Sequence, residues 1–229
     1  MLYHFLPDLA PYFGVLNVTR YITFRTAAAS LTALAISLLL GPWLIAKLRD
    51  FQIGQVIRQE GPQSHRAKAG TPTMGGLLIL TAAIVPTLLW ADLANPYIWI
   101  AVLATCAFGA VGFADDYMKL SRRNSKGLPG RIKLLLQILI ATAAALWILA
   151  LTREPLATGL SIPFFKSVLI NLGWFFIPFA VFVTVGASNA VNLTDGLDGL
   201  AIVPVMIAAA CFGFIAYLVG NSIYSEYLQ

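Results

Sequence analysis

Six long runs of uncharged, mostly apolar residues constrain this sequence more than any other feature. A helix that crosses the roughly 30 Å hydrocarbon core of a bilayer needs about 20 such residues. Because the apolar residues run continuously instead of alternating, helices are favoured over barrel strands. We predict transmembrane helices over 26–46, 74–91, 97–114, 134–151, 172–190 and 199–219.

The composition excludes a water-soluble fold. Of the 229 residues, 59% are hydrophobic and only 11% are charged, which is too few polar side chains to cover a soluble domain. We therefore predict an all-α, polytopic transmembrane bundle with six spans over 26–219. Residues 1–25 mix aromatic residues with prolines and polar groups, so we interpret them as an interfacial segment and not as a cleavable signal peptide.

Basic residues are distributed unevenly between the two sets of loops. If the six spans alternate, loops 47–73, 115–133 and 191–198 share one side and hold eleven of the fifteen Lys and Arg residues. By the positive-inside rule, these loops are predicted to be cytoplasmic, and residues 1–25 and 220–229 to be periplasmic. The net charge of +5 needs no nucleic-acid partner to explain it.

Two adjacent carboxylates, Asp115 and Asp116, follow the third predicted span on the basic side. If the helix continued through them, their side chains would point about 100° apart. One would then face a site and the other would support it, instead of both chelating one ion side by side. Solvated carboxylates at a membrane border, paired with nearby Lys or Arg, explain this motif equally well.

A second polar cluster connects the fifth and sixth spans. Asn189 and Asn192 are three residues apart, as are Asp195 and Asp198, so each pair could share a helical face. Gly196 between them would let the backbone approach a ligand closely. A polar turn between spans uses the same residue types, but their density here favours a functional site.

The third motif, HRAKAGTPTMGG over 65–76, leads into the second span. Backbone N–H groups and the positive helix end could hold phosphate oxygens there, assisted by Lys68 and Thr73. Alone, the motif is weak, because Thr-Pro is an ordinary helix start. Most basic residues of 119–133 are likewise explained by the positive-inside rule.

Together, the segments HRAKAGTPTMGG, GFADDYMK and NAVNLTDGLDGLA resemble the polyprenyl-phosphate N-acetylhexosamine-1-phosphate transferases, and within them the phospho-N-acetylmuramoyl-pentapeptide transferases. The resemblance covers essentially the whole chain. It implies a Mg²⁺-dependent enzyme of the bacterial inner membrane, with its active face cytoplasmic, that acts in peptidoglycan synthesis. Phospho-N-acetylmuramoyl-pentapeptide would pass from UDP-N-acetylmuramoyl-pentapeptide to undecaprenyl phosphate, giving lipid I and UMP.

The resemblance also implies roles for individual residues. Asp115 matches the base that activates the lipid phosphate, with a nucleophilic role left open, and Asp116 matches a support for magnesium and phosphate. Asp195 joins Asp116 as an expected magnesium ligand. The expected nucleotide and diphosphate contacts are Lys68, Thr73, Lys119, Asn189, Asn192 and Asp195, and the expected wall of the uridine pocket is Gly196, Leu197 and Asp198.

The resemblance extends to partners of the chain. Members of this family have about ten helices, against the six predicted here, and their later part carries a further magnesium-binding aspartate. We therefore expect an N-terminal part that is inactive without its C-terminal remainder. Membrane lipid is an expected partner, and a homodimer is compatible with the resemblance.

Three other functions remain open at this point. Related enzymes transfer N-acetylglucosamine phosphate, although the full-length forms of the first and third motifs distinguish this sequence from them. A transporter is disfavoured, because no Asp, Glu, Lys, Arg or His lies in the interior of a predicted span, where transporters carry such groups. A structural membrane subunit would leave the clustered Asp and Asn residues without a purpose.

Overall fold

A computed structural model describes residues 1–50, 74–121, 127–153, 157–162, 168–195 and 200–220. Within this part the α-helices are α1 Leu2–Phe5, α2 Ile22–Asp50, α3 Gly76–Trp90, α4 Pro96–Ser121, α5 Gly130–Leu151, α6 Phe176–Thr194 and α7 Ile202–Gly220. The strands are β1 Gly159–Ser161 and β2 Leu169–Asn171, and short 3-10 turns cover Pro7–Leu9, Gly14–Arg20 and Gly173–Phe175. The predicted all-α bundle is confirmed.

Five helices are long and apolar enough to cross a membrane: Ile22–Asp50, Pro96–Ser121, Gly130–Leu151, Gly173–Thr194 and Ile202–Gly220. They correspond to five of the six predicted spans. The span predicted over 74–91 forms α3, which has 15 residues and at 1.5 Å per residue is about 22 Å long. The described helix is therefore shorter than the roughly 30 Å hydrocarbon core of a bilayer. Residues 51–73, which come earlier in the chain, lie outside the described part.

The turn between α3 and α4 defines the end of one helix and the start of the next. Asp92 accepts a hydrogen bond from the N–H of Ala94 at 3.0 Å, and Asn95 accepts one from the N–H of Tyr97 at 3.0 Å. Asn95 thereby caps α4, where Pro96 occupies the first helical position and has no N–H to satisfy.

Hydroxyl groups in α2 and α3 are satisfied within their own helices. Each donates to the carbonyl four residues earlier, at 2.7 to 2.9 Å, in Thr26, Ser30, Thr32, Ser37, Thr81 and Thr87. Because the bilayer core has no water to bind polar groups, such internal bonds let an apolar helix carry hydroxyls.

The chain divides into two compact units, residues 1–140 and 141–229. In the first unit α3 packs on α2, where the indole N–H of Trp90 donates to Thr32 at 3.1 Å and the ring of Phe24 meets that of Trp90 edge-on. Helix α3 also approaches α4. The contact is at Gly109 of α4, where a Cβ would lie only 3.0 Å from a methyl group of Leu80 of α3. A glycine at this position permits the close approach.

The N-terminal residues are held against the end of α3. The ammonium group of Met1 donates to the carbonyl of Leu88 at 3.0 Å. The Nε2 atom of His4 lies 3.3 Å from Oδ1 of Asp92. The carbonyls of a last helical turn lack partners within the helix and attract positive charge. The first residues of the chain therefore complete the C-terminus of α3.

In the second unit a short hairpin precedes α6. Strands β1 and β2 pair antiparallel, and Asn171 at the end of β2 accepts hydrogen bonds from Thr158 at 2.7 Å and from the N–H of Gly173 at 2.8 Å. Strands of three residues are too short for an alternating pattern to be recognised in the sequence.

Candidate active site

The two adjacent carboxylates lie within α4, because this helix continues to Ser121. Their environments differ: the side chain of Asp115 is 13% exposed and that of Asp116 is 41% exposed. A rotation of about 100° per residue accounts for the difference. One carboxylate therefore faces the protein and the other faces outward, as the sequence predicts for a continuing helix.

Lys119 connects the two carboxylates. Its Nζ lies 2.7 Å from Oδ2 of Asp115 and 3.2 Å from Oδ1 of Asp116, since it follows them by about one helical turn. Lys133 of α5 places a second ammonium group 3.9 Å from the same Asp115 oxygen. Two positive charges thus neutralise a largely buried carboxylate, which would be costly to bury alone.

The other oxygen of Asp115 is held by the backbone before α5. The N–H of Leu128 donates to Oδ1 of Asp115 at 2.7 Å. This contact was not predicted from the sequence, where Lys133 was counted among the basic residues of the loop. The available signal was the turn sequence Gly127-Leu128-Pro129-Gly130, whose residue types mark a defined turn.

The predicted contacts of the second polar cluster lie at the end of α6. Asn189 is half-buried and donates to the carbonyl of Val185 at 2.9 Å, whereas Asn192 and Asp195 are exposed. Asp195 is the C-cap residue of α6. Asn189 and Asn192, three residues apart, are neighbours on the surface of α6.

Five predicted contacts lie outside the described residues: Lys68, Thr73, Gly196, Leu197 and Asp198. Of the first motif, the structure describes residues 74–76. Met74 has a left-handed backbone with φ of 72°, a conformation that is uncommon for a residue other than glycine.

The structure brings together Asp115, Asp116 and Lys119 in the first unit. The α6 residues belong to the second unit.

The carboxylate pair has suitable chemistry for magnesium. Among the residues that the structure describes, no group of three or more His, Cys, Asp or Glu side chains forms a metal cluster. Magnesium in phosphoryl-transfer sites, however, is commonly held by one or two carboxylates together with substrate phosphates. The carboxylate of Asp116, which is the more accessible of the two, fits this mode, whereas both oxygens of Asp115 already have protein partners.

Comparison with known proteins identifies the class. Residues 98–228 match the model of glycosyl transferase family 4, and residues 68–80 match signature 1 of the phospho-N-acetylmuramoyl-pentapeptide-transferases. The family match covers more than half of the chain, including most of α4 and all of α5 to α7. The chain belongs to glycosyl transferase family 4, and with its apolar helices it is a multi-pass membrane protein.

Two relatives agree with the resemblance carried by the three motifs. The chain is 58% identical to the phospho-N-acetylmuramoyl-pentapeptide-transferase of Granulibacter bethesdensis and 56% identical to that of Rhodopseudomonas palustris. Each match covers 100% of this chain and 64% of the relative. The chain therefore spans just under two thirds of the length of these relatives.

Proposed function

We propose that this chain carries part of the active site of a phosphoglycosyl transferase that makes lipid I. Phospho-N-acetylmuramoyl-pentapeptide would be transferred from its UDP carrier to undecaprenyl phosphate, with release of UMP. The observation that carries the proposal is the cluster of Asp115, Asp116 and Lys119 near the end of an apolar helix. The relatives, named for this transfer, support the choice of substrate.

The cluster can perform the acid–base part of this reaction. Asp115 would act as the base that takes a proton from the lipid phosphate, whose oxygen then attacks the phosphorus attached to the sugar. The bond from that phosphorus to the bridging oxygen breaks, and UMP leaves. Lys119 would turn from the carboxylates toward the diphosphate, because an ammonium group within reach of several anions binds the most highly charged one most strongly.

Magnesium is the cofactor that we propose for the site. Asp116 would hold it together with substrate phosphate oxygens, and Asp195 remains the second ligand predicted from the sequence. When bound, the ion would screen the repulsion between two phosphate anions. The roles of Lys68, Thr73, Asn189, Asn192, Gly196, Leu197 and Asp198 in holding the nucleotide remain predictions.

A direct assay tests the proposed function. Full-length protein in detergent is mixed with undecaprenyl phosphate, magnesium and either UDP-N-acetylmuramoyl-pentapeptide or UDP-N-acetylglucosamine. We expect lipid-linked product and UMP in equal amounts from the first donor only, and none with excess EDTA. Product from UDP-N-acetylglucosamine alone would instead support the related transferases, and no UMP from either donor would contradict the enzyme assignment.

We propose the bacterial inner membrane as the location, with the site on the cytoplasmic side, on the basis of the basic loops. Since Gly173–Thr194 is long enough to span, Ser161 and Thr194 should lie on opposite sides. In a background without Cys106 and Cys211, we expect Thr194→Cys to be labelled by an impermeant thiol reagent only after the cytoplasmic side is exposed. Ser161→Cys should be labelled in intact spheroplasts, and the reverse pattern would invert the proposed orientation.

A further inference from the structure

We propose that Gly127 is a positioning residue for Asp115. The absence of a side chain at 127 lets the turn before α5 approach α4 so closely that the N–H of Leu128 holds one carboxylate oxygen. This inference rests on the proposed role of Asp115 as the base. It adds to that role a backbone contact, which determines where the second oxygen points.

The space at Gly127 is already occupied by the two functional side chains. A Cβ at this position would lie 2.8 Å from Cε of Lys119 and 2.9 Å from Cγ of Asp115, and it would come closest to Oδ1 of Asp115. Contacts under 3.0 Å are essentially never made by a Cβ. The end of the lysine is flexible, but the aspartate is short, so alanine at 127 would displace either Asp115 or the turn.

The contact orients the carboxylate as well as holding it. Leu128 binds Oδ1 at 2.7 Å, so Oδ2 is the oxygen that meets Lys119 at 2.7 Å and Lys133 at 3.9 Å. A carboxylate that loses its N–H partner can rotate and shift its second oxygen. Small displacements of a reacting group are costly in rate, because the catalytic geometry is tightly limited.

The turn supplies its own matched control. Gly130, three residues later, is the first residue of α5, and a Cβ there would meet nothing within 4 Å. Gly127→Ala and Gly130→Ala therefore make the same chemical change, one in filled space and one in open space. Each variant is made in the full-length protein and compared with wild type in transfer kinetics and in amide hydrogen exchange at Leu128.

For Gly127→Ala we expect kcat to fall about tenfold with the KM for the UDP substrate within about twofold, and the Leu128 amide to exchange faster. Gly130→Ala should match wild type in both measurements. An equal effect of the two variants, or unchanged exchange at Leu128 in Gly127→Ala, would overturn the inference. Faster exchange without a loss of kcat would also overturn it, because the contact would then exist without positioning a catalytic group.

A second variant keeps the inference testable if Gly127→Ala does not accumulate. Asp115→Ala removes the acceptor, so exchange at Leu128 should again accelerate, and an unchanged rate would refute the contact. The two proposals fail differently. If wild-type protein makes no lipid product, the proposed function fails, whereas the exchange measurements still decide whether Gly127 permits the bond to Asp115.

Discussion

Replacing Asp115 with Asn should lower the turnover of the full-length protein by at least about a hundredfold, while the affinity for the UDP substrate stays within a few-fold. Asn has the same shape and can still accept the N–H of Leu128, but it cannot take a proton. The loss should therefore appear in kcat. Release of UMP under saturating substrates measures kcat, and binding of the UDP substrate without lipid acceptor measures affinity.

Two further variants make this result specific. Asp8 is an exposed carboxylate near the N-terminus, so Asp8→Asn should leave turnover at the wild-type level. Asp116→Asn should lower the rate and also raise the magnesium concentration needed for half-maximal activity, because Asp116 is the proposed magnesium ligand. Near-normal turnover of Asp115→Asn would show that Asp115 is not the base.

Replacing Lys119 with Met should lower kcat/KM for the UDP substrate by roughly ten- to a hundredfold, the range expected when a hydrogen bond to a charged group is lost. In the free protein Lys119 donates hydrogen bonds to both Asp115 and Asp116, and in the proposed complex it contacts the diphosphate. The variant should also melt at a lower temperature, because among the residues that the structure describes Asp115 then keeps only Lys133, at 3.9 Å, as a nearby cation.

The control for this variant is Lys47→Met, which removes an exposed ammonium group near the end of α2, 5.8 Å from the Trp43 ring. It should leave kcat/KM close to wild type. Lys119→Arg keeps the charge and should recover part of the activity. If Lys119→Met retained wild-type kcat/KM, Lys119 would have no role in substrate binding or catalysis.

The membrane spans and the different directions of the paired carboxylates could be predicted from the sequence, because both depend on residues that are close along the chain. Continuous hydrophobicity identifies a helix such as Ile202–Gly220 without reference to any other element. Helical periodicity likewise separates Asp115 from Asp116, and it places Lys119 within reach of both. The span predicted over 74–91 forms α3, Gly76–Trp90, which begins two residues later and ends one residue earlier.

The site around Asp115 depended on the tertiary structure. Leu128 is 13 residues from Asp115 along the chain, and a backbone N–H has no sequence signature, because every residue except proline carries one. Lys133 looked like one basic residue among many in a charged loop until α5 placed it beside the carboxylate. Gly127 in the sequence marks only a turn.

Local sequence therefore determined that this chain forms apolar membrane helices, and it indicated which acidic residues to examine. Burial of the carboxylate, the backbone donor to its Oδ1 and the need for glycine at 127 were decided only by tertiary structure. The physical reason is that hydrophobicity and helical periodicity act between residues close in sequence. Contacts between the turn and α4 form only when packing brings distant segments together.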